Sequence, residues 1–382
     1  MKDLPKKLQQ KLEERKASNA LRKLDNQNGL IDFSSNDYLG FAKSKTIFQN
    51  SHDYLVGHNI IQNGSTGSRL LSGNNQLYNI IESMLASFHN SETALVYNSG
   101  YDANVGFFSS IPQRNDIILY DEFIHASIRD GIKMSNAKAY KFKHNNLNDL
   151  EQKCQTERSR SPDEIDIYIV TESVFSMDGD SPNLLELSKL CQRFGAHLVV
   201  DEAHATGVFG KQGVGMIQDL GLENDVFARI ITFGKAMGCH GAVVFGSEKL
   251  KQFLINFSRS LIYTTGLPPH SLATIHAAYH ELISTSNIYK LKGNIDFFRD
   301  EIIINGFQDI FIESYSAIHC CIIPGNERVK LIAKKLQDYG FDVKPILSPT
   351  ISEGSERLRF CLHSYNSKKE MSEVLRLLST FV

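Results

Sequence analysis

Apolar residues in the central part of the chain follow two alternating rhythms. Leu77, Ile80, Ile81, Met84, Leu85 and Phe88 recur at helical spacing, and after them come short apolar runs: ALVY at 94–97, DIILY at 116–120, IDIYIV at 165–170, AHLVV at 196–200, RIITF at 229–233 and GAVVF at 241–245. Such runs, rich in β-branched residues and separated by helical segments, predict strands of a mostly parallel sheet buried on both faces. The expected architecture is an α/β domain. Beyond a long helical stretch that begins near Ser271 the pattern changes to SAIHCCII, a helix over VKLIAKKLQDYG closed by Gly340, FDVKPI, RLRFCL and a terminal helix. That last helix carries Met371, Val374, Leu375 and Leu378 on one face and opens with Ser367 and Glu370, spaced as a capping box. A smaller α+β lobe is expected there. Leu4, Leu8 and Leu12 repeat every four residues and predict an amphipathic helix lying on the body of the protein or on a partner chain. The expected division is an N-terminal arm over 1–45, a large domain over 46–285 and a C-terminal domain over 286–382, with QTERSRSPDE at 155–164 as a surface loop.

Composition narrows the classes of function. With 382 residues, 42% hydrophobic and 22% charged, the chain has material for more than one packed unit. Lys+Arg 41 against Asp+Glu 43 leaves a net charge of -2, so no global field draws nucleic acid or an anionic membrane. Any bound anion needs a local constellation. The six cysteines form no C-x-x-C pair, and no apolar run approaches the ~20 residues of a membrane span. Six reduced thiols in a cytoplasmic protein are expected. The first 24 residues are basic but include Asp3, Glu13 and Glu14 and lack an apolar segment, so no signal peptide is expected.

In open α/β sheets functional residues gather in the loops after the strands. Here AHLVV runs into Asp201, Glu202, Ala203 and His204; IDIYIV into Thr171 and Glu172; DIILY into Asp121 and Glu122, with His125 close behind. RIITF contains Thr232 and is followed by Gly234 and Lys235. ALVY leads into Asn98, Ser99, Gly100 and Tyr101, a small-residue turn entering a helix whose free N–H groups suit a phosphate. Taken alone, Lys235 reads as a surface lysine. Its flanking Gly234 and Gly238 and the upstream strand-end Asp201 change that, because small neighbours leave room for a bulky group at the amine. A Walker A loop is excluded by the missing upstream glycine and the missing Ser/Thr after Lys235, and no dinucleotide fingerprint follows an early strand. No zinc site is expected, since Asp201 and His204 lack further ligands at a recognisable spacing. A strand-end carboxylate, a histidine, a phosphate turn and a glycine-flanked lysine together suit pyridoxal 5'-phosphate.

Four segments in order, FSSNDYLG (33–40), VTESVFSMDGD (170–180), VVDEAHATGVFGKQGVG (199–215) and TFGKAMG (232–238), resemble the α-oxoamine synthase family of fold-type I pyridoxal-phosphate enzymes. The similarity runs from about residue 10 to the C-terminus. It implies a large, mostly parallel seven-stranded sheet with helices on both faces plus a smaller C-terminal α+β domain. By this resemblance Lys235 bonds the cofactor and then serves as the base at the substrate Cα. Asp201 keeps the pyridine nitrogen protonated, His125 lies on the ring, and Ser176 and His204 hydrogen-bond the phenolic oxygen. Ser99, Gly100, Tyr101 and Thr232 hold the phosphate, joined by Thr264 or Thr265 of the neighbouring chain in a homodimer with shared active sites. Arg359, aided by Asn36, takes a substrate carboxylate through paired hydrogen bonds, while Arg357 on the same strand face is structural. Glu172 orients neighbours.

The implied reaction is a decarboxylating condensation of an amino acid with an acyl thioester. L-alanine and a pimeloyl thioester, on CoA or a carrier protein, are the expected pair, a step of biotin biosynthesis. Two features favour them: only a short helix precedes the core, and Arg22 falls where it can meet the distal pimeloyl carboxylate. Thr66 and the Cys239-His240 pair depart from the family pattern in loops expected to line the acyl side. Two alternatives stay open, another family member such as a glycine C-acetyltransferase and a non-catalytic partner subunit of the same fold.

Overall fold

The computed structural model describes residues 3–22, 24, 29–160 and 165–382. They form two compact units, one of residues 36–176 and 181–289, the other of residues up to 35, 177–180 and 290–382.

The larger unit is organised by a seven-stranded sheet. Across it lie Thr93–Tyr97, Ala242–Gly246, Ala228–Thr232, His197–Asp201, Ile167–Glu172, Ile117–Asp121 and Lys138–Phe142. Only Ala242–Gly246 runs antiparallel to its two neighbours; the remaining pairings are parallel. All six apolar runs expected as strands are strands. The seventh, Lys138–Phe142, escapes an apolar pattern because it is an edge strand with only Phe142 buried. Lysines on such an edge discourage pairing with another chain.

Side chains alternate between two separate cores, one on each face of the sheet. Tyr168, Val170, Val199 and Ile230 pack with Phe107, Phe108 and Ile128 of the helices Gly100–Ser110 and Ala126–Met134. Ile167, Ile169, Leu198 and Val200 pack with Leu150, Leu187 and Leu190 of the helices Leu147–Arg160 and Leu184–Phe194. This parity matters for the site. Glu172, Asp201 and Thr232 each continue the first set, so they emerge on the side of Gly100–Ser110 and Ala126–Met134.

The expected loop over 155–164 is corrected in part. The helix continues to Arg160 because Arg158 donates to the carbonyls of Ile165 (2.9 Å), Phe194 (2.9 Å) and Gly195 (2.8 Å) and ties the last turn to the body. Residues 161–164 lie outside the described residues.

In the second unit, Lys344–Ile346, Arg357–Cys361 and Ile318–Ile322 form an antiparallel sheet, and Ile31–Asp32 pairs in parallel with Phe341–Asp342. Its helix Lys368–Ser379 has the expected capping box: Glu370 N–H donates to Ser367 Oγ (3.3 Å) and Ser367 N–H to Glu370 Oε2 (2.7 Å). The N-terminal helix spans Lys6–Ala17, and none of its residues is buried. No helix among the described residues is long and apolar enough to cross a membrane.

Candidate active site

Three strand ends deliver polar groups to one face of the large sheet. Asp201 and Glu172 are direct partners on adjacent parallel strands, so two nearly inaccessible carboxyl groups stand side by side. Asp201 Oδ1 accepts the Ala203 N–H at 2.9 Å and Oδ2 accepts from Asn104 Nδ2 at 2.9 Å. Glu172 accepts the backbone N–H of His125. Burial holds the Glu172 carboxyl well above the usual carboxylate range; the Asp201 charge adds to this, and Lys235 works against it.

His125 caps the helix Ala126–Met134, its Nδ1 accepting the Ser127 N–H. The imidazole pKa is lowered, first by desolvation, then by the Lys235 charge, against the opposing pull of Asp201 and Asp130. His125, Asp201, Glu172 and Lys235 thus lie within electrostatic reach of one another.

Lys235 sits in the turn between Ala228–Thr232 and Ala242–Gly246, closed by the Gly238 N–H donating to Lys235 O at 2.8 Å. Gly234 faces open space, with only Cys239 O at 3.7 Å from where a Cβ would be. Gly238 has a different role from the one its place beside the lysine suggests. Its φ is +60°, and a Cβ there would come within 2.2 Å of Ala42 N, so the backbone itself requires glycine.

The expected phosphate turn is built as a cradle. Ser99 is the N-cap of Gly100–Ser110, its Oγ accepting from Asp102 N–H at 3.0 Å. The N–H groups of Gly100 and Tyr101 lie in the first turn, where they have no intrahelical acceptor. A Cβ on Gly100 would fall 2.4 Å from Thr232 Cγ2, so the helix start and the strand end meet only because position 100 is glycine. Beside this contact Thr232 Oγ1 is buried without a hydrogen-bond partner. An orphaned hydroxyl beside open amides fits a phosphate, and a buried carboxylate hydrogen-bonded by neutral donors fits a protonated ring nitrogen. The residues present therefore suit pyridoxal 5'-phosphate. Thr264 and Thr265 stand near the same turn within one chain, where Asn98 Nδ2 donates to Thr264 Oγ1 (3.3 Å) and to Thr265 O.

His204 is buried, with Nδ1 2.6 Å from Tyr38 Oη, and Tyr38 Oη in turn lies 3.2 Å from Asn36 Oδ1. Ser176 is half-buried in the segment leaving Ile167–Glu172. The two arginines expected to meet substrate carboxylates belong to the second unit. Arg359 is buried in Arg357–Cys361, and Arg22 is exposed, donating to Thr350 Oγ1 at 3.3 Å. Arg357 pairs with Asp178 and donates to Met177 O at 2.9 Å. Cys239 is half-buried; its Sγ lies 3.0 Å from Met237 O, and burial pushes the thiol up to about 12. Thr66 is exposed.

Two residues of the site were absent from the strand-end pattern, Asn104 and Ser127, both buried. The available signal was a polar residue on an otherwise apolar helix face, since Asn104 falls beside Ala103, Phe107 and Phe108.

Comparison with known proteins agrees with this geometry. The family model described as aminotransferase class I and II matches residues 28–378. An 8-amino-7-oxononanoate synthase from Emericella nidulans is 39% identical over 369 residues, covering 92% of this chain and 89% of that protein. Among solved structures, a serine palmitoyltransferase from Sphingomonas wittichii superposes with a TM-score of 0.89 at 26% identity, covering 99% of this chain and 98% of its own. An 8-amino-7-oxononanoate synthase from Francisella tularensis does so with a TM-score of 0.78 at 30% identity, covering 93% and 98%.

Proposed function

The chain belongs to the class I and II aminotransferase family, in its α-oxoamine synthase branch with pyridoxal 5'-phosphate as cofactor, and from this premise we propose that it is an 8-amino-7-oxononanoate synthase. In this reading it condenses L-alanine with a pimeloyl thioester and releases the thiol and CO2. The observation that carries it is the convergence of Asp201, Glu172, His125 and Lys235 around the ends of the central strands, with the cradle of Gly100 and Thr232. The choice among acyl and amino acid pairs is supported by the 39% identity to the Emericella enzyme.

When bound, the cofactor supplies an electron sink for negative charge developing at the substrate Cα. Lys235 carries the cofactor and then removes the Cα proton. Asp201 holds a proton on the ring nitrogen, and each pKa unit by which it favours that proton corresponds to about 1.4 kcal/mol. Gly100, Tyr101, Ser99 and Thr232 bind phosphate; His125 supports the ring; Ser176 and His204 serve its phenolic oxygen. Arg359 with Asn36 receives the amino acid carboxylate, and Arg22 the distal carboxylate of the acyl chain. The working form is a cytoplasmic homodimer in which Thr264 or Thr265 completes the partner's phosphate site.

The test is thiol release and product mass with alanine, glycine and serine, each against pimeloyl-, acetyl- and palmitoyl-CoA. Turnover with alanine and pimeloyl-CoA is expected. Turnover confined to glycine and acetyl-CoA, or to serine and palmitoyl-CoA, overturns the assignment in favour of another branch member.

A further inference from the structure

A buried chain of hydrogen bonds joins Asp201 to His125. Asn104, on the helix Gly100–Ser110 and 2% exposed, donates from Nδ2 to Asp201 Oδ2 (2.9 Å) and to Ser127 Oγ (3.0 Å). Ser127, fully buried, has its Oγ 2.7 Å and its backbone nitrogen 3.3 Å from His125 Nδ1.

The direction of every proton follows from these contacts. Turning the Asn104 amide over would set its carbonyl oxygen against the Asp201 carboxylate, so Nδ2 must face Asp201. Both Nδ2 protons are then committed, one to Asp201 and one to Ser127 Oγ. The hydroxyl, accepting from Asn104, has its own single proton to give, and its remaining close partner is His125 Nδ1. The Ser127 backbone N–H, an obligatory donor, points to the same nitrogen. Nδ1 therefore presents a lone pair to two donors, and the proton of the neutral ring resides on Nε2.

We propose that Asn104 and Ser127 are positioning residues that hold His125 as its neutral Nε2–H tautomer and lock that ring to the same carboxylate that serves the cofactor nitrogen. The purpose assigned to this relay rests on the reading of the site given above, whereas the tautomer does not. A neutral imidazole adds no positive charge beside a protonated ring nitrogen, so cofactor binding and the Asp201 interaction do not compete. Burial and the Lys235 charge favour the neutral ring, with Asp201 and Asp130 opposing.

The test reads imidazole 15N shifts by long-range 1H–15N correlation at pH 8 in cofactor-free protein labelled at histidine. His125 is expected to show a single Nε2–H tautomer, and Ser127→Ala to move it toward a mixture. Ser127→Ala and Asn104→Leu are each expected to weaken cofactor binding about tenfold, the scale of one buried hydrogen bond. Ser127→Ala retains the backbone and the Asp201 contact, so it remains informative if Asn104→Leu does not fold. An Nδ1–H tautomer in the parent, or a Ser127→Ala protein unchanged in both tautomer and affinity, overturns the proposal. Because the shifts are read without cofactor, a different substrate preference leaves this result untouched, and loss of the relay leaves the substrate assignment untouched.

Discussion

Glu172 is the residue whose chemistry differs most from its appearance in the sequence. There it is one more strand-end acid; in the fold it is buried beside Asp201, and burial raises its pKa well above the usual range. A carboxyl with a raised folded pKa binds its proton more tightly when folded than unfolded. Below the unfolded value both states are protonated; as pH rises above it the unfolded state gains by ionising and folding weakens. Glu172→Gln keeps an acceptor for the His125 N–H and removes the titration. The cofactor-free variant is expected to gain stability over the parent as pH rises above about 4.5, by up to about 1.4 kcal/mol per pH unit until the folded carboxyl ionises. Urea unfolding at a series of pH values measures this; a difference that is flat or falls with pH contradicts the assignment. Asp201, Lys235, His125 and Thr232 could be picked out as candidates because each stands at a strand end or in the loop after one, and the fold brings His125, Asp201 and Lys235 within electrostatic reach of one another. Asn104 and Ser127 were not, because each lies inside a helix and acts through its packing.

At the scale of elements, strands buried on both faces were the easiest to read, since each is an unbroken apolar run. The edge strand Lys138–Phe142 lacks that run because only one of its residues is buried. The end of the helix Leu147–Arg160 was misread as loop because polar composition says nothing of the carbonyls that Arg158 meets. The Lys235 turn shows a third kind of limit: a glycine beside a lysine suggests room for a ligand, yet Gly238 is required by its positive φ and by Ala42. Gly238→Ala is expected to lose about 2–4 kcal/mol through left-handed strain and the backbone collision. Urea unfolding checks it, and a loss under about 0.5 kcal/mol, the scale of an ordinary surface change, contradicts the close approach described for Ala42.

For the whole molecule, a net charge of -2 excludes a global attraction for anions and places the burden on local groups. In the proposed reading those groups are the Gly100 and Tyr101 amides, Thr232 and Lys235 of the larger unit, and Arg359 and Arg22 of the second. Five of the six cysteines are buried, and Cys239 is half-buried. The α/β class and the smaller lobe followed from periodicity, and the family from four ordered motifs; the acyl donor did not follow from either, because chain-length selection depends on the shape of loops with no periodic signature. The central claim is that Lys235 carries the cofactor in this site. It is tested most directly by borohydride reduction of the purified holoenzyme, followed by peptide mapping and the visible spectrum. The account predicts a visible band before reduction, a single pyridoxyl-phosphate adduct on the peptide containing Lys235, and loss of both in Lys235→Ala; an adduct on another lysine, or none in the parent, would contradict it.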